Sequence, residues 1–229
     1  MGNRVSIAFV TLGCKLNYAE TSTYERALVA AGWEVVPWTD TDADFYLVNT
    51  CSVTEHSDKK SRNIIRKLHR TSPKAGIVVA GCSAQLRKTE IEKIEGVLKV
   101  FGSEEKSMVV PWLLAACMDR EKPLEGCPAQ QESYFRAFST GERTRSFLKV
   151  QDGCDYKCHY CTVPYARGCS RNAPISDILE DAAQIAAAGI KEVVITGVNT
   201  GDFGRTTGES LLDLLKALNE IEGIERYRI

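Results

Sequence analysis

Cys154, Cys158 and Cys161 stand in the segment QDGCDYKCHYCTVPYARG at a C-x3-C-x2-C spacing. Three thiolates crowded into one loop can hold three irons of a four-iron cluster, which leaves the last iron open to chelate a small molecule. A structural zinc ion would require a further protein ligand in a closed site. His159 is of a suitable type, but it lies between two of the proposed ligands. Unligated thiols are the remaining alternative. Tyr160, directly before the last cysteine, adds an aromatic ring beside whatever the loop binds.

Cys14, Cys51 and Cys82 form a second set, each closing an apolar run: SIAFVTLGC, FYLVNTC and IVVAGC. The chain has nine cysteines against three histidines, so a metal site built from them would be rich in sulfur and suited to zinc or iron–sulfur chemistry. Cysteine is also commonly buried, and three core thiols are the alternative reading of this set. In a chain without a secretory signal, cysteines argue for metal or redox chemistry before disulfides.

The elements that must position these residues follow from hydrophobic period and punctuation. Strands are predicted at Val5–Thr11, Trp33–Val36, Phe45–Asn49, Ile77–Ala80 and Leu98–Phe101. Helices are predicted at Tyr18–Ala31, Glu55–Arg70, Ala84–Ile94 and Glu104–Ala116, with Asn17 and Glu20 read as a capping box at the first. Alternating strands and helices imply a parallel sheet covered on both faces, whose ligands bind beyond the carboxyl ends of the strands. Cys14, Cys51 and Cys82 fall there.

Residues 119–144 carry Pro123, Gly126 and Pro128 and read as a linker between a domain at 1–118 and one at 145–229. The second domain should open with a strand at Ser146–Val150 leading into the cysteine loop. A helix at Asp177–Ala188 capped by Ser176, a strand at Glu192–Thr196, a glycine-rich loop and a helix at Glu209–Ile221 come next. Glu225–Ile229 reads as the start of another strand. In the loop, Gly197, Gly201 and Gly204 allow close backbone approach to a ligand, while Asn199 and Asp202 offer polar contacts.

The chain of 229 residues carries 29 Lys and Arg against 30 Asp and Glu, so no global field favours nucleic acid or membrane. No run approaches the length of a membrane span, and the start lacks a signal-peptide core. The expected location is the cytoplasm, with no membrane partner and a monomeric state. Positive charge is local: Lys59, Lys60, Arg62, Arg66, Lys67, Arg70 and Lys74 on and after the second helix, and Arg143, Arg145, Lys149, Lys157, Arg167 and Arg171 around the cysteine loop. Such residues grip phosphates without reading bases. They equally suit a solvated helix face.

The loop with Cys154, Cys158, Tyr160 and Cys161 resembles the signature of the radical S-adenosylmethionine superfamily. The runs VTLGCKLNYAET, VNTCSVT and VAGCSAQ, with PYARG before Ser170-Arg171, resemble the methylthiotransferase family within it. The resemblance spans almost the whole chain. It implies a flavodoxin-like parallel α/β domain followed by the first part of a partial (β/α)6 barrel, with the rest of the barrel and an RNA-binding domain beyond it. It also implies two [4Fe-4S] clusters, a radical cluster on Cys154, Cys158 and Cys161 and an auxiliary one on Cys14, Cys51 and Cys82. S-adenosylmethionine would be contacted by Tyr160, Thr196, Gly197 and Asn199. Arg167 and Arg171, next to the site, would be the foremost contacts to tRNA, and a flavodoxin or ferredoxin would supply electrons.

In such enzymes the clusters, rather than acid–base residues, carry the chemistry. Lys15-Leu16, where the isopentenyladenosine branch tends to carry glutamine and methionine, is similar to the branch that methylthiolates C2 of N6-threonylcarbamoyladenosine 37 in tRNA. The isopentenyladenosine branch, a branch acting on a ribosomal-protein aspartate and a non-catalytic metal module are the alternatives. Cys117, Cys127 and Cys169 have no assigned role.

Overall fold

Apolar runs with little alternation become strands buried on both faces, the condition met when helices cover a parallel sheet. The computed structural model describes residues 4–39, 43–52, 54–118, 134–141 and 144–229. Contacts divide the chain into two units, residues 1–13 with 24–132 and residues 14–23 with 133–229.

The first unit holds β1 (Ser6–Thr11), β2 (Glu34–Val35), β3 (Phe45–Thr50), β4 (Gly76–Gly81) and β5 (Val97–Phe101) in the order β2-β1-β3-β4-β5, all parallel. This is the flavodoxin-like order, in which the connection reverses between β1 and β3. Every residue of β3 and β4 is buried. The helices of this part are the end of α1 (Lys15–Ala30), from Tyr24 on, with α2 (Glu55–Thr71), α3 (Cys82–Leu86), α4 (Lys88–Glu92) and α5 (Val109–Met118). Ile65 and Leu68 of α2 and Ile91 of α4 pack with Val48, Ile77 and Val79 of the sheet. Each such side chain, fully buried, contributes about 1.5–3 kcal/mol.

The second unit contains a four-stranded sheet in the order β11-β10-β7-β6, from β6 (Ala137–Phe138), β7 (Arg145–Lys149), β10 (Glu192–Thr196) and β11 (Arg226–Arg228). β7, β10 and β11 are parallel and β6 is antiparallel to β7. A separate pair, β8 (Gln151–Asp152) and β9 (Arg171–Asn172), closes the base of the cysteine loop. Helices α6 (Val163–Arg167), α7 (Ile175–Ala187) and α8 (Leu211–Asn219) complete the unit. Leu148, Val193 and Ile195 share its core with Ile178, Ile185, Leu214 and Leu218. This is the opening of a radical-SAM-type α/β domain.

Several local expectations are corrected. α1 starts at Lys15 rather than Tyr18, and its first helical bond runs from Tyr18 N to Cys14 O at 3.1 Å. Asn17 and Glu20 lie inside α1 and are drawn to charged side chains of the second unit, not to the helix end. Ser176 does not cap α7, which begins after Pro174. The predicted helix at 84–94 is two short helices broken at Arg87, whose φ of −129° is not helical.

Glu209 lies outside α8. Its carboxylate accepts from Ile175 N at 2.9 Å while Ser210 caps the helix. The stretch read as a linker is only partly described, and within it Ala137–Phe138 forms an edge strand and Arg136 is bound to Asp181 at 2.8 Å. Residues 119–133, with Cys127, and Arg143 lie outside the described residues.

Candidate metal centre

β7 runs straight into the cysteine loop, and the geometry of its stem is set by a buried ionic network. Glu20, Lys149, Asp152 and Arg167 are each no more than 3% exposed. Lys149 Nζ lies 2.7 Å from Asp152 Oδ2 and 3.0 Å from Glu20 Oε1. Arg167 Nη1 is 3.1 Å from Glu20 Oε1 and 2.9 Å from Asp152 Oδ1, while its Nη2 donates to Asn17 Oδ1 at 2.6 Å. Two cations and two carboxylates thus neutralise one another, the condition under which buried charge is tolerated. The Lys149 ammonium also sits 5.1 Å from the centre of the Tyr134 ring. Burial first, and then the charges of Asp152, Asp181 and Glu20, hold the Tyr134 phenol well above its ordinary pKa.

Asp152 and Arg167 are the two ends of the loop that bears Cys154, Cys158 and Cys161. Gly153 N donates to Asp152 Oδ1 at 2.9 Å, and Cys154 N donates to Gly168 O at 3.0 Å. Gly153 has φ of +72°, and a Cβ there would run into the carbonyl of Cys169, so only glycine fits this crossing. Cys161 N donates to Cys158 O at 3.0 Å in a tight turn. Cys158 is exposed, Cys154 and Cys161 are half-buried, and all three are free thiols. Tyr160 is 91% exposed.

Gln151 is the residue that sequence reasoning missed. Its amide nitrogen donates to Asp152 O, Gly153 O and Ser170 Oγ at 2.7–3.0 Å, and its Oε1 accepts from Asn199 N at 2.8 Å. One buried amide therefore joins the cysteine loop to the glycine-rich loop after β10. Gly197 lies against it, since an added Cβ would stand 2.9 Å from Gln151 Oε1. A glutamine directly after a predicted strand gives no sign of this in sequence. Thr196, expected to contact a cofactor, is buried and turns its hydroxyl to Val194 O at 3.0 Å. The loop is held further by Asn172, whose Oδ1 accepts from Gly204 N at 3.0 Å.

Arg167 and Arg171, expected to contact tRNA, both bind partners within the protein, and Arg171 stays partly exposed. Arg167 is consumed by the network, and Arg171 Nη1 donates to Arg167 O at 2.6 Å and Cys169 O at 3.0 Å. Lys149 is likewise sealed from solvent.

Of the second cysteine set, Cys51 and Cys82 are buried and follow the carboxyl ends of the neighbouring strands β3 and β4. Thr50 Oγ1 donates to Ala80 O at 2.7 Å and accepts from Ala84 N at 3.2 Å, which pins α3 to the end of β3. Asp58 of α2 accepts from Ser83 Oγ, beside Cys82, and pairs with Arg62 at 2.6 Å. Cys14, exposed, follows β1 and is counted with the second unit, with its thiol 3.8 Å from Asn17 Oδ1. Among the described residues no three His, Cys, Asp or Glu side chains are gathered at metal-binding geometry. The loop supplies a donor set that fits an iron–sulfur group in kind and number, three thiols without a disulfide between them.

Residues 6–102 match the family described as "Uncharacterized protein family UPF0004", and residues 148–228 match the "Radical SAM superfamily". The threonylcarbamoyladenosine tRNA methylthiotransferase MtaB of Aquifex aeolicus is 38% identical over 98% of this chain and 55% of its own length. The protein of the same name in Bacillus subtilis is 37% identical over 98% of this chain and 51% of its own. The tRNA-2-methylthio-N(6)-dimethylallyladenosine synthase of Wolinella succinogenes is 32% identical over 95% and 51%. The chain spans about half the length of these curated relatives.

Among solved structures, the radical S-adenosylmethionine methyltransferase TsrM of Kitasatospora setae, with tryptophan substrate and a SAM analogue bound, has a TM-score of 0.60 at 14% identity. The match covers 94% of this chain and 50% of that one, and it speaks for the fold alone. Among the described residues, no helix is long and apolar enough to cross a membrane.

Proposed function

The chain belongs to the radical S-adenosylmethionine methylthiotransferase family, and from that premise we propose that it is the front portion of an enzyme that methylthiolates C2 of N6-threonylcarbamoyladenosine 37 in tRNA. The observation that carries the proposal is the three-thiol loop closed at its base by β8 and β9 at the end of β7. The substrate rests on the MtaB relatives, 38% and 37% identical against 32% for the dimethylallyladenosine enzyme, and on Lys15-Leu16 beside Cys14.

In this reading Cys154, Cys158 and Cys161 hold one [4Fe-4S] cluster. Cys14, Cys51 and Cys82 hold a second, a proposal that rests on their positions after three adjacent strands. When bound, such clusters supply electrons for cleaving S-adenosylmethionine and sulfur for the product. The chain's own residues do the positioning. Asp152 and Arg167 fix the two stems of the loop, and Gln151 sets its distance from the Asn199 backbone. Gly197 lets the Gln151 side chain pack directly on the loop backbone, and Tyr160 is free to cover the cofactor. The proposed setting is a cytoplasmic monomer reduced by a flavodoxin or ferredoxin.

The test is iron and acid-labile sulfide per chain after anaerobic reconstitution, with and without Cys154, Cys158 and Cys161 changed to Ala. About eight irons falling to about four is expected. Cleavage of S-adenosylmethionine under dithionite should vanish in the triple variant. Zinc without sulfide sinks the proposal. Complementation of a strain whose tRNA lacks the methylthio group, using the complete protein, decides between the threonylcarbamoyl substrate and its alternatives.

A further inference from the structure

With Arg167 closed to solvent and Lys157 the exposed cation of the cysteine loop, the densest group of exposed cations able to meet a polyanion lies on α2. Lys59, Lys60, Arg66, Lys67, Arg70 and Lys74 are all exposed, and among the described residues none of them forms an ion pair. Of the two carboxylates in the first turn of α2, Asp58 is buried and taken by Arg62, Arg87 and Ser83, which leaves Glu55 as the exposed acid of the helix against this group of cations. A helix that needed only solubility would mix signs along its surface and pair them at i, i+4. Here cations gather on one surface of α2 and in the turn beyond it, in a chain whose net charge is −1.

The patch also has shape. His56, Lys59, Lys60, Asn63, Ile64 and Lys67 line a groove of about 350 Å³ along α2. From Lys59 to Lys67 the helix rises roughly 12 Å, long enough for more than one backbone phosphate. Beside Lys67 stands Trp38, 41% exposed, with the Lys67 ammonium 5.8 Å from its ring centre. A flat aromatic next to a row of cations is the pairing by which proteins hold single-stranded nucleic acid, with bases stacked on the ring and phosphates on the amines. An acidic polypeptide would satisfy the lysines but has no base to place on Trp38. The groove also begins in the first turn of α2, just after Cys51.

We infer that the groove of α2, with Trp38 at its flank, is an RNA-binding surface that holds a single-stranded stretch of the substrate by its phosphates. This rests on the tRNA reading above for the identity of the RNA, and on charge and shape for the surface itself.

The test measures binding of the wild-type chain and of Lys59→Gln/Lys60→Gln/Lys67→Gln to an unmodified tRNA transcript, a uridine homopolymer and polyglutamate over a salt series. The triple variant should lose tenfold or more in affinity for both RNAs. Its dependence of log K on log salt should be shallower by about two, the value for three lost contacts to a single strand. Unchanged thermal melting would show that the exposed substitutions leave the fold intact. The homopolymer should quench tryptophan fluorescence, and Trp38→Leu should remove that quenching.

An unchanged salt slope, no binding to either RNA, or polyglutamate binding as tight as RNA would overturn the inference. Failure of the methylthiotransferase reading looks different: iron content and S-adenosylmethionine cleavage would be absent while the homopolymer result stood.

Discussion

Glu20 and Arg167 are 147 residues apart in sequence and meet at 3.1 Å, both closed to solvent. The same Glu20 oxygen receives Lys149 at 3.0 Å, so one carboxylate serves two buried cations. Glu20→Ala leaves Lys149 and Arg167 with Asp152 as their carboxylate, and an uncompensated buried charge costs about 3–5 kcal/mol. Urea unfolding should show a loss of that order. A midpoint equal to wild type would mean the network contributes no net stability.

Gly153 and Gly189 both have φ of +72° to +76°, yet their surroundings differ. Ala at Gly189 meets open space, and the expected cost is the ordinary one for a left-handed residue, about 1 kcal/mol. Ala at Gly153 collides with the Cys169 carbonyl and should displace the stem of the cysteine loop. Under the two-cluster proposal, reconstituted Gly153→Ala is expected to hold about four irons fewer than wild type, while Gly189→Ala matches wild type. Equal iron contents would contradict this.

Gln151→Leu removes every hydrogen bond that ties the cysteine loop to Asn199. S-adenosylmethionine binding, followed by calorimetry on the reconstituted protein, should weaken tenfold or more with iron content retained. Loss of iron together with binding would instead assign Gln151 to holding the cysteine loop alone.

Burial pushes the Tyr227 phenol up to about 12, and burial raises that of Tyr134 in the same direction. Unfolded tyrosine ionises near pH 10, so above that pH the unfolded chain gives up protons that the folded chain keeps. Stability from these phenols is complete below about pH 10 and declines as pH rises through about 12. Denaturation midpoints collected across that window should fall, and Tyr134→Phe/Tyr227→Phe should flatten the decline. An equally steep fall in the double variant would place its origin elsewhere.

The strands and the cysteine loop were legible because their causes are local. FYLV and IVVA are unbroken apolar runs, as strands covered on both faces must contain, and the spacing of Cys154, Cys158 and Cys161 survives in any conformation. Asn17 and Glu20 show what local pattern misses. Their spacing suits a capping box, but the preference of a carboxylate for a helix amide is weaker than that for a buried guanidinium, and the partner lies far along the chain. Arg167 shows the same limit: an arginine near a site reads as available until its carboxylates are seen. Ser176 fits a capping pattern too, yet Pro174 supplies the fixed φ from which α7 starts two residues earlier.

The antiparallel pair of β8 and β9 gives the loop between them a closed base. Bringing together the ends of a flexible segment of that length costs about 2–3 kcal/mol in chain entropy, and here folding has already met that cost. The thiols of Cys154, Cys158 and Cys161 therefore present themselves to incoming iron at a raised effective concentration, so the first thiolate captured makes the next two encounters intramolecular.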